Sequence, residues 1–211
     1  MLDWIREHHE TLSVLVNLGM LLVWIAYLQL FLANFKRQTR PKILINVGAG
    51  RSIDGRCLIS NMSSEAVYIE SLIATLETDK DKWVCPVTDA QELAKDREGE
   101  AGLRQVTVQG PLKQAEVMDV GSFCDLIQHV VKESEVPVST EHEFPEGLAA
   151  LEIQAIADFG PDDLLVGAKR RFELVKKDGA WTLGRHTPYT EQIRSRSQRR
   201  RIKRLLEDVD P

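Results

Sequence analysis

The spacing of apolar and polar residues changes character near residue 42. From Thr11 to Phe35 the chain reads "TLSVLVNLGMLLVWIAYLQLFLANF", with no charged residue. As an α-helix this run is about 37 Å long, enough to cross the hydrocarbon of a bilayer. Its few polar residues, Ser13, Asn17, Gln29 and Asn34, do not share a face. The pattern therefore predicts a transmembrane helix over 11–35, not the one-sided helix of a soluble core. Residues 1–10 become an external flank and 36–42 a basic juxtamembrane linker.

Beyond that point the period drops to two. "ILINV", "RCLISN", "KWVCPV", "LRQVTVQ" and "AEVMDV" read as strands, "EAVYIESLIATLET" as one bent strand or two, and Gly110-Pro111 as a turn. Ser122 can cap a helix with Asp125 three residues on, and Phe123, Leu126, Ile127, Val130 and Val131 then share one face. Leu151, Ile153, Ala155, Ala157 and Phe159 alternate with Glu152, Gln154 and Asp158 before "GPDD" turns the chain into "LLVGAKRRFELVKK". Lys177, Asp178 and Gly179 turn it again into "AWTLGR", which makes three consecutive antiparallel strands. The charge-dense stretches 89–102 and 133–147 read as exposed loops. Roughly seven to nine strands over 43–186 suit an Ig-like β-sandwich. The expected fold is mainly β: a transmembrane helix, an Ig-like antiparallel β-sandwich with one short helix, and a basic C-terminal helix or tail over 187–211.

The stretch "ILINVGAGRSIDG" invites comparison with a phosphate-binding loop. A dinucleotide fingerprint needs GxGxxG followed by a helix whose first amides meet the phosphate. Here Gly55 arrives two positions late after Gly48 and Gly50, and "RCLISNMSSEAVYI" is strand and turn material. The glycines are expected to join two strands.

Composition refines this picture without changing it. The 211 residues suffice for one domain with accessory segments, and the net charge of -5 gives no general case for nucleic acid. Cys57, Cys85 and Cys124 form no CxxC pair, so reduced packed thiols in a reducing compartment are expected. The flanks of the span set its direction. Asp3, Glu7 and Glu10 outweigh Arg6 before it, whereas Lys36, Arg37, Arg40 and Lys42 crowd behind it. By the positive-inside rule the N-terminus lies outside and the body in the cytosol, with those four cations beside anionic lipid. An acidic "MLDWIREHHE" and the lack of a small-x-small site argue against a cleaved leader. Asn17 and Gln29 face about 120° apart at roughly 100° per residue, so one polar seam between helices is not expected, although a homo-oligomer stays open.

The run "NLGMLLVWIAYLQLF", the basic "FKRQTRPKILIN" after it and "CLISNMSSEAVYIESLIATLET" together resemble uncharacterised single-pass bacterial inner-membrane proteins with a strand-rich cytosolic domain. The resemblance implies a bacterial inner-membrane setting and no activity.

No residue set for catalysis, metal or cofactor stands out. His142 lies between Glu141 and Glu143, but strand alternation puts the two carboxylates opposite the imidazole. Cys124 sits where a helix N-terminus can lower a thiol pKa, yet His129 falls on another face, and a packed thiol is expected. The tail is more informative. Thr187-Pro188 can open a helix, and Arg194, Arg196, Arg199, Arg200, Arg201, Lys203 and Arg204 fall within eleven residues beside the short stripe Ile202, Leu205, Leu206 and Val209. Anionic lipid or an acidic protein partner can use these charges, or they can simply be solvated. Missing aromatic residues argue against nucleic acid. The expected object is a non-catalytic, membrane-anchored adaptor. The alternatives are a membrane-tethered enzyme, or an exported ligand-binding sandwich if the topology is reversed.

Overall fold

The computed structural model describes residues 8–38, 40–48, 50, 52–87, 107–138, 144–160, 165–177, 179–184, 189–193, 195 and 197–199. The chain divides into two compact units, 1–40 and 41–211.

The first unit carries helix α1 (His9–Gln38). Within it, His9–Phe35 is long and apolar enough to cross a membrane, with a mean hydropathy of 2.0 over its most apolar 18 residues. Every side chain from His8 to Phe35 is exposed. An apolar surface of that extent is stable only against an apolar medium.

The second unit is mainly β, built among the described residues from ten strands and one full helix, besides a helical stretch at 197–199. In chain order these are β1 (Ile43–Val47), β2 (Arg56–Asn61), β3 (Val67–Thr78), β4 (Lys82–Pro86), β5 (Gly110–Leu112), β6 (Val117–Ser122), α2 (Phe123–Glu133), β7 (Leu148–Asp158), β8 (Val166–Lys177), β9 (Ala180–Leu183) and β10 (Glu191–Ile193). They form two antiparallel sheets. One has the order β1-β2-β6; the other runs β10-β8-β7-β3-β4, with β5 also pairing β3 and β9 also pairing β8.

The sheets share one core because alternation points their apolar rows at each other. Ile43, Ile45, Cys57 and Ile59 come from the first sheet; Leu72, Leu76, Leu151, Ile153, Ala155 and Phe172 come from the second. Helix α2 completes this core. Ser122 Oγ accepts from Asp125 N at 3.0 Å, while the Asp125 carboxylate accepts from Ser122 N at 3.1 Å, a reciprocal cap that satisfies two end amides. Phe123, Leu126, Ile127 and Val130 are buried, and Phe123 meets Phe172 edge-on at 4.6 Å.

The long apolar segment after Glu65 is a single strand, β3, bent by a register shift between Ile69 and Ser71. The glycine stretch runs strand, loop, strand, and Gly50 takes a φ of 97°. Two expectations need correction. Gly110-Pro111 does not turn: it forms β5 along Val67–Ile69 of β3. Proline is tolerated there because β5 lies at the sheet margin, where a missing N–H leaves no ladder gap. Nor are residues 191–193 part of the expected C-terminal helix, since Glu191–Ile193 is strand β10 on β8. Described helical backbone appears only at 197–199, capped by Ser195 Oγ, which accepts from Gln198 N at 3.2 Å. The loop 89–102, the trio Glu141–His142–Glu143 and the Thr187-Pro188 pair lie outside the described residues.

One buried polar side chain ties the two sheets. Asn61 is fully buried at the end of β2. Its Nδ2 donates to Glu65 O and Leu112 O at 2.8 Å each, and its Oδ1 accepts from Ser63 N at 2.8 Å. Leucine has similar bulk but strands the Leu112 carbonyl and the Ser63 amide, each costing roughly 1–3 kcal/mol when buried, whereas the exposed Glu65 can turn its carbonyl to water. Asn61→Leu is therefore expected to lower unfolding free energy by about 3 kcal/mol or more. Urea denaturation of the detergent-solubilised chain, followed by tryptophan fluorescence, measures this.

Candidate functional site

The expected lipid contacts fall on two segments. Lys36 and Arg37 lie in the last turns of α1, and Arg40 and Lys42 are exposed just after it. Of the tail, Arg199 is half-buried in the helical stretch 197–199; Arg194, Arg196, Arg200, Arg201, Lys203 and Arg204 lie outside the described residues.

What the fold brings together is where the second unit's first strand runs and where the tail starts. One edge of β1 pairs with β2. Along its other edge, Ile43 and Ile45 present backbone groups that no strand meets, and side chains take that role. Gln192 accepts from Ile43 N at 3.1 Å through Oε1 and donates from Nε2 back to Ile43 O, copying a peptide in an antiparallel ladder. Thr190 Oγ1 accepts from Ile45 N at 2.9 Å and donates to Ile45 O at 3.1 Å. Arg170, reaching from β8, donates to Ile45 O at 2.7 Å and to Asn46 Oδ1 at 3.0 Å, with its guanidinium over the Phe172 ring. Burial draws the Arg170 pKa downward, opposed by Cys57.

The consequence is positional. Lys42 directly precedes Ile43, and Arg194 stands two residues after Gln192. The linker therefore ends, and the chain continues past β10, at one corner, where Pro41, Ile43, Gly167, Gln192 and Ile193 line a shallow crevice. Sequence reasoning found the cations but not this closure. A three-residue strand has no period to detect, and Thr190 and Gln192 resemble ordinary helix-entry residues.

Elsewhere the described residues hold two further hollows. One of about 420 Å³ is lined by Trp83, Phe144, Pro137, Pro145, Lys80 and Asp81, among others, and one of about 220 Å³ lies between β5 and β6. Neither places a nucleophile beside a base, and among the described residues no group of three His, Cys, Asp or Glu side chains is set to hold a metal. His129 is buried, with Nε2 3.2 Å from Pro86 O.

The thiols are held protonated. Burial pushes Cys57 up to about 12, with Asp119 adding and Arg170 opposing. Burial pushes Cys85 up to about 11, with Glu133 adding. Cys124, in the first turn of α2, is also raised, by burial and then by Asp125 and Asp54, so no thiolate forms there at neutral pH. A raised folded pKa means that the native state keeps a proton which the unfolded chain releases. The stabilisation is complete below about pH 9, the ordinary thiol value, and is lost as pH rises toward the folded values. Two results are expected. Cys57 and Cys85 react with a disulfide reagent at neutral pH only as fast as the chain unfolds, and the urea midpoint falls above pH 9 less steeply in Cys57→Ala. Rapid labelling of the native chain at Cys57 or Cys85 contradicts this.

No protein-family model, curated protein or solved structure matches this chain, so its function is read from its own chemistry.

Proposed function

We propose that the chain is a non-catalytic, membrane-anchored interaction module of the bacterial inner membrane. Helix α1 spans the bilayer with the N-terminus outside, the β domain is an Ig-like sandwich in the cytosol, and the basic tail, as a helix, engages anionic lipid. The observation that carries this reading is the corner joined by Gln192 and Ile43, which starts the tail beside the segment that leaves the anchor.

The physics favours lipid as the first target. Four cations, Lys36, Arg37, Arg40 and Lys42, precede the β domain, and seven follow it in the tail. Each Lys or Arg close to an anionic surface contributes about 1 kcal/mol, an attraction lost within a Debye length of roughly 8 Å at physiological salt. Proximity therefore decides how much of the charge is used. A tail starting next to Lys42 needs only a few residues, at roughly 3.3 Å each, to reach any surface that Lys42 meets. An Ig-like description draws its support from two antiparallel sheets around one core. The charge asymmetry across α1 supports a cytosolic body.

The test uses the full chain in nanodiscs with and without phosphatidylglycerol. Trypsin is expected to cut after the tail arginines several-fold more slowly in the anionic discs. The Arg199→Glu, Arg200→Glu, Arg201→Glu variant is expected to lose that difference, and high salt to abolish it in the unaltered chain. Equal cleavage in both kinds of disc removes lipid as the target and leaves an acidic protein partner.

A further inference from the structure

The second sheet has an outer face, turned away from the core, and its register can be read across the strands. One row runs Ile193 (β10), Gly167 (β8), Ile156 (β7) and Ser71 (β3); the next runs Glu191, Lys169, Gln154, Ile73 and Pro86. On this face Ile73, Ile156 and Ile193 form an apolar cluster separate from the main core, with Leu165 packed against it. Beyond the cluster the face is charged: Lys169 lies 3.7 Å from Glu152 and 3.6 Å from Glu191, and Glu77 pairs with Lys82 and Arg171.

Sheet neighbours do not account for the burial of this cluster. Ile156 is 0% exposed and Ile73 2%, yet the residues beside Ile156 across the sheet are Gly167, with no side chain, and Ser71, with a short one. An isoleucine between such small neighbours on a bare face would keep part of its surface in water, so something outside the sheet lies over it; Leu165, itself only partly buried, supplies part of that cover.

We propose that the cover is the chain's own C-terminal segment, wound as an amphipathic helix across this face. Ile193 ends β10 and already belongs to the apolar cluster, so the chain leaves the sheet at the patch. Two residues later Ser195 caps a helix start: its Oγ accepts from Gln198 N at 3.2 Å and its own N–H donates to Gln198 Oε1 at 3.4 Å. In that helix Ile202, Leu205, Leu206 and Val209 recur at i, i+3, i+4 and i+7, a single stripe wide enough for the cluster. Arg200 and Arg204 then point away from the sheet. The inference concerns the same tail as the lipid reading but does not rest on it: docking of the stripe needs no membrane charge, and it leaves the outward arginines available.

The experiment uses the full chain in a neutral detergent, where no anionic lipid is present. Paired Ser71→Cys and Leu206→Cys substitutions are expected to form an intramolecular disulfide on mild oxidation, whereas Ser71→Cys with Arg200→Cys is not. Separately, Ile202→Asp, Leu205→Asp and Leu206→Asp together, which alter only the tail, are expected to speed trypsin cleavage after Arg204 about tenfold or more, because cleavage follows the open population. A Ser71–Leu206 link found only between chains assigns the cover to a second copy and overturns the proposal. So does unchanged cleavage in the triple variant. Loss of the nanodisc effect with the intramolecular disulfide retained removes the lipid reading alone.

Discussion

An edge strand of a sheet must find partners for every second backbone group or leave them to water. In this protein the outer edge of β1 is met by three side chains instead of a strand: Gln192, Thr190 and Arg170. The substitution is chemically apt. A glutamine amide has the donor and acceptor of a peptide, a threonine hydroxyl can do both from one atom, and a guanidinium fork reaches a carbonyl already in use. It also blunts an edge that would otherwise invite pairing with another chain. Because Gln192 and Thr190 lie at the far end of the chain, the same bonds hold the start and the end of the β unit together.

That closure governs what the rest of the molecule can do. The core, from Ile43 and Ile45 on one sheet to Leu151 and Phe172 on the other, fixes the two strands that meet at this corner. The capped helix α2 and the Asn61 bridge add further ties between the elements around it.

Much of this frame was legible in the sequence because it rests on period. The uncharged run of α1, the Ser122–Asp125 cap and the alternation from Leu151 to Phe159 are local signals with one physical solution each. The failures are equally instructive. Gly110-Pro111 carries turn chemistry, yet an edge position lets it be a strand. β10 has three residues, too few for any pattern, and is specified by contacts about 149 residues away in sequence, as in the Gln192–Ile43 bond. Ile156 interrupts the polar side of β7, between Gln154 and Asp158, and that break in alternation was the visible trace of a second covered face. The cations of the candidate site could be read directly, whereas their meeting point depended on long-range pairing that one sequence does not display.

Backbone amide hydrogen exchange at Ile43 and Ile45 tests the side-chain closure most directly. In the unaltered chain both amides should exchange as slowly as their strand-paired neighbours Leu44 and Asn46. Gln192→Ala should release Ile43, and Thr190→Val should release Ile45, with the β3–β7 amides unchanged. Fast exchange at Ile43 and Ile45 in the unaltered chain would contradict the account, because the edge of β1 would then be open to water and the two ends of the β unit would not be held together.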